Sequence, residues 1–113
     1  MKLIITESRR TQIAIKWLND NFGDLELYET DREPNYIFYM KNGEVIFDYD
    51  KLNGRAYINY RKIWSFFESI FSMDYRLIQS TITKWVNEYY ELEVSPTKVG
   101  FAEKYKWWWL TTN

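Results

Sequence analysis

The sequence predicts a single α+β domain over residues 1–113, and three observations support this prediction. Apolar residues in 6–22 recur at a helical period, those in 36–60 alternate around two Asn-Gly pairs, and those in 61–90 return to the helical period. A chain of 113 residues has the usual length of one domain and can bury a core without disulfides. We therefore expect a helix, an antiparallel sheet and a helical hairpin, in that order.

The first helix is predicted over residues 6–22 and ends at Gly23, a residue typical of helix C-termini. Its apolar side is formed by Ile13, Ala14, Trp17, Leu18 and Phe22. Residues 1–5 are predicted to be a short strand before it. In the acidic stretch 24–34 apolar and acidic residues alternate at first, which favours a brief edge strand.

The sheet is predicted from the stretch "NYIFYMKNGEVIFDYDKLNGRAYINY", because Asn-Gly is the strongest short hairpin signal. Two-residue turns at 42–43 and 53–54 give a three-stranded meander over 36–60. They place Phe38 opposite Phe47 and direct nine residues to one apolar face: Tyr36, Phe38, Met40, Val45, Phe47, Tyr49, Ala56, Ile58 and Tyr60.

The helical hairpin is predicted over 61–90, with Asn59 and Asp74 as N-caps of its two helices. One tryptophan lies on the apolar side of each predicted helix of the chain: Trp17, Trp64 and Trp85. We expect the helices to cover one face of the sheet. The C-terminal stretch 104–111, "KYKWWWLT", favours a fourth strand with Trp107 and Trp109 inward and Trp108 outward, although a helix stays open.

Composition excludes several chemistries. The chain has no cysteine and no histidine, so it offers neither a thiolate nucleophile nor a Ser-His-Asp triad, and it lacks the commonest metal ligand. We predict no enzymatic activity, no metal and no cofactor. No apolar run approaches the roughly 20 residues that span a bilayer, so we expect no membrane association and a cytoplasmic location.

Charge is distributed unevenly along the chain. Residues 24–50 contain eight acidic residues against Arg32 and Lys41, a local charge of −6, whereas the total charge is −1. We expect the acids of 24–33 to form either a solvated loop or an acidic surface that meets a basic partner or mimics the charge of nucleic acid. The net charge gives no global attraction for nucleic acid.

The predicted outer face of the sheet is also rich in apolar residues. If helices cover only the other face, a candidate interface stays exposed, formed by Ile37, Tyr39, Ile46, Tyr57 and Trp108. The function predicted first is therefore a non-enzymatic interaction protein that binds another protein, or a second copy of itself, through an aromatic or acidic surface.

An alternative function is nucleic-acid binding by the helices of 61–90, whose spacing is that of a helix-turn-helix. The second helix would present Arg76, Gln79, Thr83 and Lys84, and arginine and glutamine can read base edges. Only two of these four residues are basic and acids flank them, so nucleic acid is the less favoured partner.

Three segments carry a resemblance to known proteins: "MKLIITES", "IFYMKNGEVIFDY" and "IWSFFESIF". Together they resemble small uncharacterised proteins of tailed phages that infect marine bacteria, notably cyanobacteria. The resemblance implies a phage origin, with a location in the host cytoplasm or the virion. It implies no activity and no functional residues, because the shared motifs are structural.

Overall fold

The computed structural model describes residues 7–102, and the predictions for 1–5 and 104–111, Trp108 included, lie outside them. The described chain is an α+β fold with five strands in the order β1-β2-β3-β4-β5, antiparallel except for the parallel pair β4–β5. Its elements are α1 (Glu7–Phe22), β1 (Glu26–Tyr28), β2 (Tyr36–Lys41), β3 (Glu44–Asp50), β4 (Arg55–Asn59), a π-helical turn (Tyr60–Trp64), α2 (Ser65–Ser69), α3 (Tyr75–Tyr89), a 3₁₀ turn (Pro96–Lys98) and β5 (Val99–Ala102).

The main core lies between one face of the sheet and the helices, as predicted. Among its fully buried members are Ala14, Leu18, Phe47, Ala56, Ile58, Ile63, Trp64, Phe67, Ile78, Ile82 and Val86. The three predicted helix tryptophans all contribute: Trp64 and Trp85 are buried, and Trp17 stacks on Phe66 with 4.4 Å between ring centroids. Stacked rings at this distance add to the energy of area burial.

The first hairpin confirms the predicted turn but not the register beyond it. Asn42 and Gly43 have φ angles of 53° and 78°, as a two-residue type I′ turn requires. Met40 pairs with Val45, as a two-residue turn at 42–43 requires, but Tyr39, the residue before Met40, already pairs with Phe47. Ile46 is therefore an extra residue, a β-bulge that directs two consecutive side chains of β3 into the core.

The bulge corrects the predicted apolar face. Phe47, Ala56 and Ile58 are in the main core as predicted, and Tyr49 packs against it. In contrast, β2 presents Ile37 and Tyr39 to that core, while Tyr36, Phe38 and Met40 turn to the opposite face. There Phe38, Val45 and Ala102 form a second, smaller cluster, with Tyr36, Met40 and Tyr57 packed against it.

The prediction of a two-residue second turn is wrong, because the connection between β3 and β4 is a loop of four residues. Asp50 pairs with Arg55, so residues 51–54 form the loop. The Asp50 carboxylate accepts hydrogen bonds from the backbone N–H groups of Leu52 and Asn53 at 3.0 and 3.2 Å and from Asn53 Nδ2 at 2.8 Å. The carboxylate thus organises the loop in the manner of an Asx turn.

This arrangement makes stability depend on pH through Asp50. Burial alone would raise the pKa of Asp50, but the hydrogen bonds from Asn53 and Leu52 and the charge of Arg55 lower that pKa below its ordinary value of 3.8. A lowered folded-state pKa means that the ionised carboxylate stabilises the fold above the unfolded-state pKa. The stabilisation is lost as pH falls through the folded-state value.

We therefore expect Asp50→Asn to lower the free energy of unfolding by about 1–2 kcal/mol at neutral pH. The difference from the unsubstituted protein should shrink as the pH is lowered from neutral to an acidic value well below 3.8, because Asp50 itself becomes protonated as the pH falls through its lowered folded-state pKa. Urea unfolding at both pH values measures it, with Asp31→Asn at an exposed position as the control. An equal difference at the two pH values would contradict this role of the charge.

The region after β4 begins with a π-helical turn rather than a regular helix. Asn59 caps it as predicted: its Oδ1 accepts a hydrogen bond from Lys62 N at 3.0 Å, and its Nδ2 donates to Val45 O at 2.8 Å. Asp74 caps α3, also as predicted, by accepting from Leu77 N. Strand β5 was not predicted, and its four residues add to the sheet beside β4.

Candidate functional site

The predicted aromatic interface does not form. Tyr39 and Ile46 are 3% and 2% exposed and belong to the main core, and Ile37 is packed against it. Of the described members of this set, Tyr57 alone lies on the opposite face of the sheet, where it is half-buried. The prediction that Ile37, Tyr39 and Ile46 stay exposed is wrong, because it assumed a β3 strand without the bulge at Ile46.

The four candidate nucleic-acid contacts do not share one surface. Arg76 and Lys84 are exposed on α3. Gln79 instead donates a hydrogen bond to Val99 O of β5 at 2.9 Å, and Thr83 is buried, with its hydroxyl bonded to Gln79 O at 2.7 Å. Two of the four side chains therefore hold the protein together. The preceding α2 has only five residues, so the pair differs from the predicted helix-turn-helix.

The most accessible strand of the described sheet is β1, which forms one of its edges. It pairs only with β2 among the described strands, and all three of its side chains are exposed. Leu27 and Tyr28 are 62% and 43% exposed, which is high for large apolar residues in a sheet. An edge strand has backbone N–H and C=O groups that can pair with another extended chain.

Acidic residues surround this strand. Residues 24–33 contain five acids and one arginine, a formal charge of −4. Asp24 pairs with Lys41 at 3.1 Å and Glu29 with Lys51 at 3.8 Å. Within the described chain, no ion pair engages Glu26, Asp31 or Glu33. We define the acidic edge as β1 together with Glu29, Asp31 and Glu33.

The connection from α1 to β1 is held by several hydrogen bonds. Tyr89 Oη donates to Gly23 O at 2.9 Å, Tyr90 Oη donates to Phe22 O, and Lys41 Nζ donates to Asn21 O at 2.6 Å. Burial raises the pKa of Tyr90 to about 12, so its hydroxyl stays protonated as a donor near neutral pH. The start of the acidic edge is therefore held in place before any partner arrives, which reduces the entropy cost of binding.

The opposite edge of the sheet is less accessible within the described residues. Strand β5 lies beside α3, and the Gln79 side chain donates to Val99 O as a neighbouring strand would. Covering an edge with a helix is a common way to prevent strand addition. The two edges of the described sheet thus differ: one is exposed and acidic, and the other is blocked at Val99.

The sequence signal for the acidic edge was present but incomplete. Alternation of apolar and acidic residues predicted a brief edge strand, and the acid cluster predicted an acidic surface. The exposure of Leu27 and Tyr28 could not be read from the sequence, because alternation alone suggests that one side of a strand is buried. Exposure of both follows from the position of β1 at the margin of the sheet.

The described part of the chain shows neither a metal cluster nor a membrane-spanning helix. Among residues 7–102, no group of three or more acidic side chains is placed to hold a metal ion. Within the same residues, no helix combines the length and the apolar character that crossing a bilayer requires. Comparison with family models, curated proteins and solved structures yields no significant match to this chain.

Proposed function

We propose that this protein is a non-enzymatic binding module that holds a basic, extended segment of a partner protein against the acidic edge. The observation that carries the proposal is an edge strand whose three side chains are all exposed, at the margin of an otherwise well-packed sheet. In strand addition, main-chain hydrogen bonds supply affinity and alternate side chains supply specificity. This strand offers both.

Charge selects the kind of partner. Glu26, Asp31 and Glu33 carry no ion pair within the described residues, so lysine or arginine side chains on an added strand would meet carboxylates that no cation of the described chain neutralises. Leu27 offers an apolar contact on the helix side of the sheet, because it is opposite Tyr39. The matching segment alternates basic and apolar residues. Such complementarity chiefly increases the association rate and the specificity.

A homodimer through the same strand is the less favourable arrangement. Two copies placed edge to edge would bring two segments of charge −4 together, and like charges at an interface are unfavourable. Sedimentation should therefore show no dimer that depends on this strand. If the chain is a phage accessory protein, as its resemblance to tailed-phage proteins implies, the partner would be a protein of the host cytoplasm or the virion.

The test uses a synthetic eight-residue peptide of alternating lysine and valine, titrated at low salt and followed by amide chemical shifts. We expect saturable shifts at residues 26–28 and on the adjacent strand β2. A peptide of alternating glutamate and valine should bind at least about tenfold more weakly, because like charges replace opposite ones. Equal binding of the two peptides, or shifts confined to other parts of the chain, would rule out the proposal.

The matched variants are Leu27→Lys and Leu52→Lys, which place the same charge at exposed positions. Leu27 lies in the acidic edge, whereas Leu52 is in the loop between β3 and β4, so only the first should weaken binding of the basic peptide. We expect a loss of about tenfold, since an edge lysine opposes both strand pairing and a basic ligand. The proposal fails if both variants bind the peptide as the unsubstituted protein does.

A further inference from the structure

A second surface feature lies at the other edge of the sheet. Residues of β4, the 3₁₀ turn, β5 and the start of α3 line an open groove of about 210 Å³, which we call the β5 groove. Its lining includes Arg55, Tyr57, Tyr75, Lys98 and Gly100. No acidic residue of the described chain lines the groove, in contrast to the acidic edge, and the groove is separate from the surface of the proposed function.

The two cations of the β5 groove are available to a ligand. Arg55 and Lys98 are both exposed, and neither makes an ion pair within the described chain. Lys98 Nζ donates to Asn53 O at 2.9 Å, which holds the ammonium in place and leaves further donor capacity. Asp50 is opposite Arg55, and the two charges interact, but the Asp50 carboxylate is bound by the 51–54 loop and makes no ion pair with Arg55 within the described residues.

Arginine and lysine at one site are suited to a phosphate group, because arginine offers a planar fork and lysine a compact charge. The absence of a side chain at Gly100 keeps space open beside them. A Cβ added there would lie 3.7 Å from the ring of Tyr57, an ordinary contact distance, so the position accepts a side chain without a clash. The groove can therefore be filled by mutation, which provides a direct test.

An exposed aromatic ring borders the same groove. Tyr75 is 52% exposed, and its ring lies 5.0 Å from that of Trp64 between centroids at an interplanar angle of 60°, so Trp64 supports the ring while about half of the residue stays accessible. A supported ring of this kind is a stacking platform for a nucleobase. The groove is smaller than the roughly 300 Å³ typical of closed ligand pockets, so a base would lie outside it, over Tyr75.

We propose that the β5 groove binds a nucleotide phosphate, with the phosphate on Arg55 and Lys98 and the base on Tyr75. The same chemistry is carried by a free nucleotide and by a single-stranded nucleic acid, and the experiment separates these sources. The site differs from the nucleic-acid surface predicted from the sequence, since neither Arg76 nor Lys84 lines the groove.

The test is a titration at low salt with AMP, adenosine and inorganic phosphate, followed by amide chemical shifts. We expect AMP to shift the amides of Thr97, Lys98 and Gly100 saturably and to bind more tightly than either fragment, because each fragment keeps only half of the contacts. An octamer of deoxythymidylate compared with dTMP then separates the sources: tighter binding of the octamer indicates a single strand, and equal binding a free nucleotide.

Variants locate the site. Replacing both groove cations, Arg55→Gln with Lys98→Gln, should weaken AMP binding at least about tenfold. Gly100→Val should also weaken it by filling the groove. Lys84→Gln is the matched control, because it removes an exposed cation from another surface of the protein. Amide spectra of the variants without ligand verify that each is folded.

Three results would overturn the proposal: no saturable shift with AMP at millimolar concentration, inorganic phosphate binding as tightly as AMP, or unchanged AMP binding in the Arg55→Gln, Lys98→Gln protein. None of them bears on the acidic edge, which lies at the other end of the sheet. The two proposals can therefore fail separately.

Discussion

Tyr39→Lys is expected to unfold the protein. Tyr39 is 3% exposed, stacks on Phe47 with ring centroids 4.2 Å apart, and meets the ring of Tyr90 edge-on at 5.1 Å. A lysine there would place an ammonium among these rings, and Glu29, the carboxylate whose charge acts on the Tyr39 hydroxyl, already pairs with Lys51. An unpaired buried charge costs several kcal/mol, which is comparable to the whole stability of about 5–15 kcal/mol of a typical domain.

The matched variant is Tyr36→Lys in the same strand but on the opposite face. Tyr36 is half-buried, and burial together with the charges of Asp50 and Asp48 raises the pKa of its hydroxyl. A lysine at this position would be close to those two carboxylates and should be tolerated. Circular dichroism and urea unfolding measure both variants. The reverse result, with Tyr36→Lys unfolded and Tyr39→Lys stable, would support the register without a bulge.

Phe47→Ala is expected to lower the free energy of unfolding by about 3–5 kcal/mol, as large truncations in protein cores do. Phe47 has no exposed surface and lies where the sheet meets the C-terminal half of the chain. Its ring contacts Tyr39, Trp85 at 5.6 Å and Tyr90 at 5.5 Å between centroids. Removing it would leave a cavity bordered by rigid rings, which cannot readily collapse.

The control for this truncation is Leu52→Ala, because Leu52 is 73% exposed and loses little contact when shortened. We expect its effect to stay within about 0.5 kcal/mol. Urea unfolding at neutral pH gives both values. A loss below about 1 kcal/mol for Phe47→Ala would show that the aromatic cluster around β3 is not the centre of the core.

The same cluster links stability to the candidate binding surface. Tyr90 contacts Phe47 and donates a hydrogen bond to Phe22 O, at the end of α1 and just before the acidic edge. A core variant that shifts Tyr90 should therefore also loosen the start of β1. Binding measurements on the acidic edge are best made with surface variants such as Leu27→Lys, which leave this contact in place.

The acidic edge and the β5 groove differ in how much of each can be predicted from the sequence. The cluster of acids in 24–33 is visible in the sequence, because charged residues are rarely buried without partners. The β5 groove is not visible, since Arg55, Lys98 and Tyr75 are brought together by the parallel pairing of β4 with β5 and by the start of α3. That pairing depends on contacts between residues more than 40 positions apart.

By itself, the sequence determined most of the elements of this protein, but not strand β5 or the π-helical turn. The helical period gave α1 and α3, Asn42-Gly43 gave the first hairpin, and Asn59 and Asp74 gave two caps, because each of these signals acts within a few residues. Only the tertiary structure decided which side of β2 is buried. The bulge at Ile46 places both Ile46 and Phe47 on the core side. The alternation of apolar and polar residues along a single strand does not indicate such an extra residue.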